Sequence, residues 1–190
     1  SLIGEFAAYN ATTGERLWQF PAQTGIAAAP VSYAVNGEQY ISVAVGWGTM
    51  FSLVGGEMTA SLGLKNYSRI LSFKLGGNDA LPTIPLNQIT TAIPQPPKNI
   101  KDPEVISSGK SIYIKRCWSC HGDGVASGGT IPDLRYMNNE THVAWDAIVM
   151  GGSLKHRGMP GFFGILAKDE SEALHAYVID RAWLAFNKKN

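Results

Sequence analysis

Short alternating runs dominate the first part of the chain. Between Leu2 and Leu75, apolar residues recur at a period of about two, the spacing of a strand with one buried face. "LIGEFAAY" and "RLWQF" come first. "PVSYAV" and "QYISVAV" follow, joined by "NGE". Asn36-Gly37 supplies the pair of residues that tolerates the left-handed backbone of a two-residue hairpin. "RILSFKL" alternates again and stops at Gly76-Gly77. Five strands are predicted. A long glycine-rich loop is predicted from Gly46 to about Asn66, with at most one short helical turn in "GEMTASLGLKN".

The period then changes. "LPTIPLNQITTAIPQPPKNI" is rich in proline and carries no charge before Lys98. Such a segment is extended and stiff, and is expected to lie along a surface. From Lys101 onward apolar residues recur at helical spacing. Asp102 is a capping residue and Pro103 suits the first helical position. Val105, Ile106, Gly109, Ile112 and Tyr113 continue the pattern. "THVAWDAIVMGG" is a second helix, with Thr141 as its expected cap and Gly151-Gly152 as its stop. "DESEALHAYVIDRAWLAF" is a third, with acidic residues at its positive end. Its Leu174, Tyr177, Val178 and Ala182 share one face. The pattern divides the chain into a strand unit (1–78), a proline-rich linker (79–100) and a helical unit (101–190).

Composition narrows the class. The 190 residues are 45% hydrophobic and 16% charged, so the chain is globular rather than disordered. A formal net charge of +1 argues against a nucleic-acid or membrane-surface patch as the main business of the chain. The longest apolar runs, such as "YISVAVGW", fall far short of the roughly 18 residues of a membrane span. "SLIGEF" has no basic start and no long apolar stretch, so no secretory signal is expected there. Without an initiator methionine, the chain reads as a mature product, a single excised domain or a fragment.

Candidate chemistry concentrates in one place. Both cysteines lie in Cys117-Trp118-Ser119-Cys120-His121. Two thiols one helical turn apart suit covalent thioether attachment of a haem, and the adjacent histidine suits the iron. A zinc site is the competing reading, but it needs four ligands and the chain has no second cysteine pair. A redox pair follows a strand at a helix start. This pair follows a helix and leads into glycines.

The second iron ligand is expected to be Met159, in the loop "RGMPGF", where proline stiffens the presentation of a thioether. Met150 sits on the second helix, where a packing methionine is expected. Met137 follows "PDLRY" closely. His142, His156 and His175 are the remaining alternatives. The carbonyl of Pro132 is the expected acceptor for the other ring nitrogen of His121. Arg135 is either a partner for a haem propionate or an ordinary surface arginine. Trp118, Phe162, Phe163 and Ile165 could wall the haem or serve only as packing.

The run from Lys101 to Asn190 resembles a class I cytochrome c domain. It has the first helix, C-x-x-C-H, the Pro-Asp-Leu segment, the Gly-Met-Pro loop and the last helix. Gly109 and Tyr177 match the small-against-aromatic helix crossing of that family. "AYNATTGERLW" resembles the tryptophan-docking repeat of pyrroloquinoline quinone (PQQ) dehydrogenase propellers, with Ala8, Asn10, Thr13, Gly14 and Trp18 in place. "NGEQYISVAVGWG", the long loop and "SRILSFKLGG" resemble the last blade of such a propeller. Together these parts resemble the C-terminal end of the quinohaemoprotein (type II) alcohol dehydrogenases.

That resemblance implies a multidomain chain: an all-β propeller fragment, about one four-stranded blade plus part of a neighbour, followed by an all-α class I cytochrome c domain. It implies haem c here, and PQQ with calcium in the full-length parent. It implies electrons passing from PQQ to the haem after alcohol oxidation, then to an external acceptor, a small redox protein or a quinone. A periplasmic location follows for a bacterial protein. Trp47, in "GWG", is either a remnant of the PQQ wall or a packing tryptophan. The adjacent-cysteine disulfide of the family is absent. Asp79 lies in the linker and the other aspartates in the helical unit, so no catalytic residue is assigned. The strands are expected to need a partner, either the missing blades or the cytochrome domain. A stand-alone electron-transfer cytochrome with a β appendage and a haem sensor with an open iron position are the alternatives.

Overall fold

The computed structural model describes residues 1–48, 50–61, 66–83 and 92–189. Parts of the predicted glycine-rich loop (49 and 62–65) and of the proline-rich linker (84–91) lie outside the described residues.

Five strands form where alternation predicts them. β1 (Glu5–Tyr9) and β2 (Arg16–Pro21) pair antiparallel. Their turn is organised by Asn10, whose Oδ1 accepts from the amides of Thr12 (2.8 Å) and Thr13 (3.1 Å). β3 (Val31–Val35), β4 (Glu38–Val45) and β5 (Arg69–Lys74) form a second antiparallel sheet with β4 in the centre. Asn36 (φ 52°) and Gly37 (φ 80°) close the β3–β4 hairpin with the positive φ values of a mirror-image turn.

The strands divide as two plus three, not as a four-stranded sheet with an extra piece. The reason lies in the packing. The first hairpin meets the second sheet through side chains rather than through ladder hydrogen bonds. Trp18 packs edge-on against Phe73 of β5 at 5.1 Å and against Phe6 at 6.0 Å, and stacks with Phe20 at 6.1 Å. Between the two sheets the chain inserts Ala22 and Ile26 into a small core with Val43, Val45 and Leu71.

The predicted loop after β4 instead holds two short helices, α1 (Met50–Val54) and α2 (Gly56–Ser61). Helices this short are marginal alone, so their periodicity carried little signal. Tertiary contacts hold them. Ser52 Oγ donates to the Trp47 carbonyl at 2.7 Å.

The helical unit follows its pattern closely. α3 (Pro103–Arg116) starts at Asp102, whose side chain accepts from the amides of Glu104 (2.9 Å) and Val105 (3.4 Å). A four-residue turn, α4 (Trp118–His121), follows directly. The predicted second helix is broken into α5 (Asn139–Val143) and α6 (Trp145–Val149). Its cap is Asn138, not Thr141: Asn138 Oδ1 accepts from the Thr141 amide (2.8 Å) and hydroxyl (2.6 Å). An asparagine earlier in the chain thus captured the first free amides, and Thr141 became its donor. The last helix, α7 (Lys168–Lys189), crosses α3 at Gly109. Ile112, Tyr113, Val125, Trp145, Leu174, Tyr177 and Val178 form the core between these helices.

The linker touches both units. The carbonyl of Pro82 accepts from Gln23 Nε2 at 3.1 Å, and that of Pro97 accepts from Trp183 Nε1 at 2.7 Å. Ile93 is buried. Among the described residues, no helix is long and apolar enough to cross a membrane.

Candidate functional site

α3 delivers the two cysteines. Its last turn runs into Cys117, whose amide donates to the Tyr113 carbonyl at 2.8 Å. The Cys117 carbonyl then accepts from the amides of Cys120 (3.1 Å) and His121 (2.9 Å), which closes one turn. The two thiols are unbridged, Cys117 buried and Cys120 exposed. Burial, and then the nearby Cys120, push the Cys117 thiol up to about 12, so it stays a neutral thiol.

Gly122 reverses the chain after His121 at φ 78°, a conformation suited to glycine. The Tyr113 hydroxyl donates to the Gly122 carbonyl at 2.6 Å. Val125 is fully buried with φ 70°, which costs a β-branched residue backbone strain.

His121 is half-buried, and its Nδ1 is buried without a well-formed hydrogen bond. Burial holds the ring below its usual pKa. The Pro132 carbonyl, close enough to accept from it, and the charge of Asp133 act in the opposite direction. Asp133 organises the segment beyond. It accepts from the Ser127 amide (3.2 Å), the Arg135 amide (3.0 Å), and Arg135 Nε (3.0 Å) and Nη2 (2.7 Å). Arg135 Nη1 reaches Glu57 of α2 at 3.1 Å. Burial opposes the charge of Arg135, but Asp133 and Glu57 outweigh it and hold the pKa above its usual value. The arginine offered to a propionate in the sequence reading is therefore already engaged by two carboxylates.

Met159 is half-buried between Gly158 (φ 91°) and Pro160, and packs against the helical core. Its loop is pinned to the end of the α6 segment: the amides of Phe162 and Phe163 donate to the carbonyls of Val149 (2.8 Å) and Met150 (3.2 Å). Met137 and Met150 pack against the same core. His142 and His175 face each other, Nδ1 to Nε2 at 2.9 Å, and His175 stacks on Trp145 at 4.2 Å. His156 is exposed. Of the four residues considered for an apolar wall, only Phe162 is buried; Phe163 is 86% exposed.

Trp47 is 3% exposed, and its indole N–H is buried without a partner among the described residues. It joins the strand core to α1. The ring lies against Gly25, the amide donates to Asn66 Oδ1 at 2.9 Å, and the carbonyl accepts from Ser52. Sequence reasoning missed α1 and α2 as neighbours of the cysteine turn. No periodicity marks them; only the short run of small residues around Gly56 hints at close packing.

Comparisons with known proteins agree with this arrangement. The family model for cytochrome C oxidase, cbb3-type, subunit III matches residues 104–178. Over 181 residues, 95% of this chain, the sequence is 42% identical to quinohemoprotein alcohol dehydrogenase ADH IIB of Pseudomonas putida. The solved structure of ADHIIG from Pseudomonas putida HK5 covers 96% of this chain at 38% identity, with a TM-score of 0.78. That of the quinohemoprotein alcohol dehydrogenase from Comamonas testosteroni covers 95% at 34% identity, with a TM-score of 0.67. Over almost all of its own length the chain is similar to quinohaemoprotein alcohol dehydrogenases.

It spans about a quarter of the length of the curated relatives it matches, 26% of ADH IIB. It joins the strand unit to a helical unit that carries the cytochrome family match. The cysteine turn, the Pro132 segment and the Met159 loop all fall in the helical part. The donor set fits a covalently held haem. Two unbridged thiols lie one turn apart, and the next residue carries a half-buried imidazole with the Pro132 carbonyl beside it.

Proposed function

We propose that this chain is the electron-exit part of a PQQ-dependent quinohaemoprotein alcohol dehydrogenase. Haem c is held by thioethers to Cys117 and Cys120, with His121 and Met159 as iron ligands. The observation that carries the reading is the Cys117–His121 turn, set in a chain that aligns over 95% of its length with such enzymes. A haem at this turn supplies one-electron chemistry.

The protein's own residues bind, orient and shield. Cys117 and Cys120 anchor the group from one turn of helix. Tyr113, through Gly122, fixes the backbone beside His121. The Pro132 carbonyl orients the ring by accepting from Nδ1, which also raises its basicity. Gly158 and Pro160 limit the positions open to the Met159 thioether. Thioether ligation and apolar surroundings favour the ferrous state and a relatively high potential.

The strand unit (1–78) is proposed as the last part of a propeller, joined through the linker (79–100) to the cytochrome domain (101–190). Its uncovered apolar face supports this. Val31, Tyr33 and Val35 are exposed on one face of the second sheet, and Ile70, on that same face, is 75% exposed. An isolated sheet with such a face and open edges needs a covering partner, here the remaining blades. The edge-on contact of Trp18, which is 41% exposed, with Phe73 of the second sheet supports a docking role for the repeat. Alcohol oxidation with PQQ, and calcium, belong to that remainder. Trp47 packs at the boundary between the strand core and α1, within the segment nearest the quinone in this reading. The external acceptor is a small redox protein or a quinone. The location is the periplasm, since thioether-bound haem is attached outside the bacterial cytoplasm.

Intact mass and a reduced-haem spectrum, with and without added PQQ, test the reading. A mass increment of one haem is expected, with no PQQ bound by the fragment. Met159→Ala should abolish the methionine–iron charge-transfer band, and Met150→Ala should keep it. The reverse result removes Met159 as ligand.

A further inference from the structure

α1 and α2 belong to the strand unit, yet they pack on the turn that follows His121. The approach is backbone against backbone. A Cβ on Gly128 would overlap the Ser52 carbonyl oxygen and lie 2.8 Å from Thr59 Cγ2. A Cβ on Gly56 would overlap the Asp123 carbonyl oxygen and lie 2.8 Å from the Asp123 nitrogen. One on Gly122 would lie 2.9 Å from the Leu53 carbonyl oxygen. Glycines from both units thus permit a separation that any side chain would forbid.

Polar contacts flank this seam. Thr130 Oγ1 lies 3.3 Å from Ser52 Oγ. Glu57 bonds Arg135, which is 12% exposed and grips Asp133, the neighbour of Pro132. From the opposite side Tyr113 holds the Gly122 carbonyl. The residue after His121 is therefore gripped by the cytochrome core on one side and by the strand unit on the other.

We propose that α1 and α2 are a positioning element for the His121 turn. The strand unit fixes the plane of the histidine ring, and with it the ease of reducing the haem iron, from outside the cytochrome fold. The inference rests on the reading of His121 as an iron ligand. Gly56, Glu57 and Gly128 are positioning residues that act through Gly122, Asp123 and the Pro132 segment. A ring held at one angle keeps one pattern of electron density on the haem; a loosened turn lets it rotate.

The decisive variant is Gly128→Ala in the haem-loaded chain. Gly128 lies outside the left-handed region, so the added methyl acts only through its contacts with Ser52 of α1 and Thr59 of α2. Hydrogen exchange at the Gly122 and Ala126 amides, both hydrogen-bonded in the native turn, should accelerate at least tenfold. Protection at Tyr177 and Val178 should hold. The paramagnetically shifted haem-methyl resonances should rearrange, and the midpoint potential should move. Gly48→Ala, with no atom of the described residues within 4 Å of its Cβ, is the control and should change none of these. Glu57→Gln should move the same readouts by less, and Glu57→Asp should restore them.

A folded Gly128→Ala chain with native exchange at Gly122 and unmoved methyl resonances overturns the proposal. So does an equal change in Gly48→Ala. If Gly128→Ala fails to fold, unchanged readouts in Glu57→Gln overturn it instead. A native chain that takes up no haem sinks the ligand reading; haem bound with unmoved resonances sinks only the positioning role.

Discussion

Replacing Gly109 by alanine adds one methyl group at the crossing of α3 and α7. In an isolated helix this would help, by about 1 kcal/mol of helix propensity. The crossing reverses the sign. The new Cβ would overlap the Ala173 carbonyl oxygen and lie 2.6 Å from its carbon and 2.9 Å from Tyr177 Cβ. None of these atoms can swing aside, since two belong to the α7 backbone and the third is fixed to it. Carbon atoms settle at about 3.5–4.0 Å, so the helices must separate by roughly 1 Å. Such a gap forfeits about a quarter to a half of each dispersion contact along the seam. The seam includes Ile112, Tyr113, Leu174, Tyr177 and Val178, all buried. Overpacking of about 1–3 kcal/mol, together with these losses, exceeds the propensity gain. The expected net loss is about 2 kcal/mol. It is read from the urea midpoint of the helical transition by circular dichroism in the haem-loaded chain. Because α3 runs directly into Cys117, the haem absorption should shift as well. A variant as stable as the parent, or more so, would show that the crossing is not closed at Gly109.

Other outcomes can be checked with the same chain. Tyr113→Phe leaves the Gly122 carbonyl without its buried donor and should cost about 1–3 kcal/mol in the urea midpoint; an unchanged midpoint would refute the role of the hydroxyl. Burial, then the neighbouring His142, hold His175 down to about 4, against Asp146, and burial also lowers His142. The unfolded chain therefore binds more protons below pH 6.5, and stability should fall as pH drops from about 6.5 to about 4. At about 1.4 kcal/mol per unit His175 would contribute roughly 3 kcal/mol, which its partial exposure screens to about 2. His175→Phe should flatten that slope in an acid titration of the unfolding midpoint; an unaltered slope counts against the assignment. Trp183→Phe removes the donor to Pro97 and should cost about 1 kcal/mol while exposing the linker to limited proteolysis. Equal cleavage rates would show that the strap is held elsewhere.

Much of the fold was legible locally. Alternation located β1 to β5, and Asn36-Gly37 located a hairpin, because both depend on backbone preferences and on burial of one face. Asp102 and the periodic residues of α3 and α7 were equally plain. The limits have physical causes. The cap of α5 went to Asn138 rather than Thr141, since two neighbouring candidates compete and geometry decides. α1 escaped notice, and α2 was expected only as a short turn in "GEMTASLGLKN", because a helix of five or six residues has too few turns to establish a period.

The cysteine turn and the methionine loop were readable because their chemistry needs fixed residue types at fixed spacings. What surrounds them was not. That Arg135 would be captured by Asp133 and Glu57 depends on residues far apart in the chain meeting in space. The same is true of Gly56, Gly122 and Gly128. A glycine in sequence signals freedom, and only its neighbours across the seam say that the space was needed for another backbone. By itself the sequence determined two units with different periods and the C-x-x-C-H run proposed to hold a haem. The tertiary structure alone decided that α1 and α2 of the first unit pack against the turn that carries Cys117 to His121 and the residues just after it. Close approach between distant segments leaves no periodic trace in either of them.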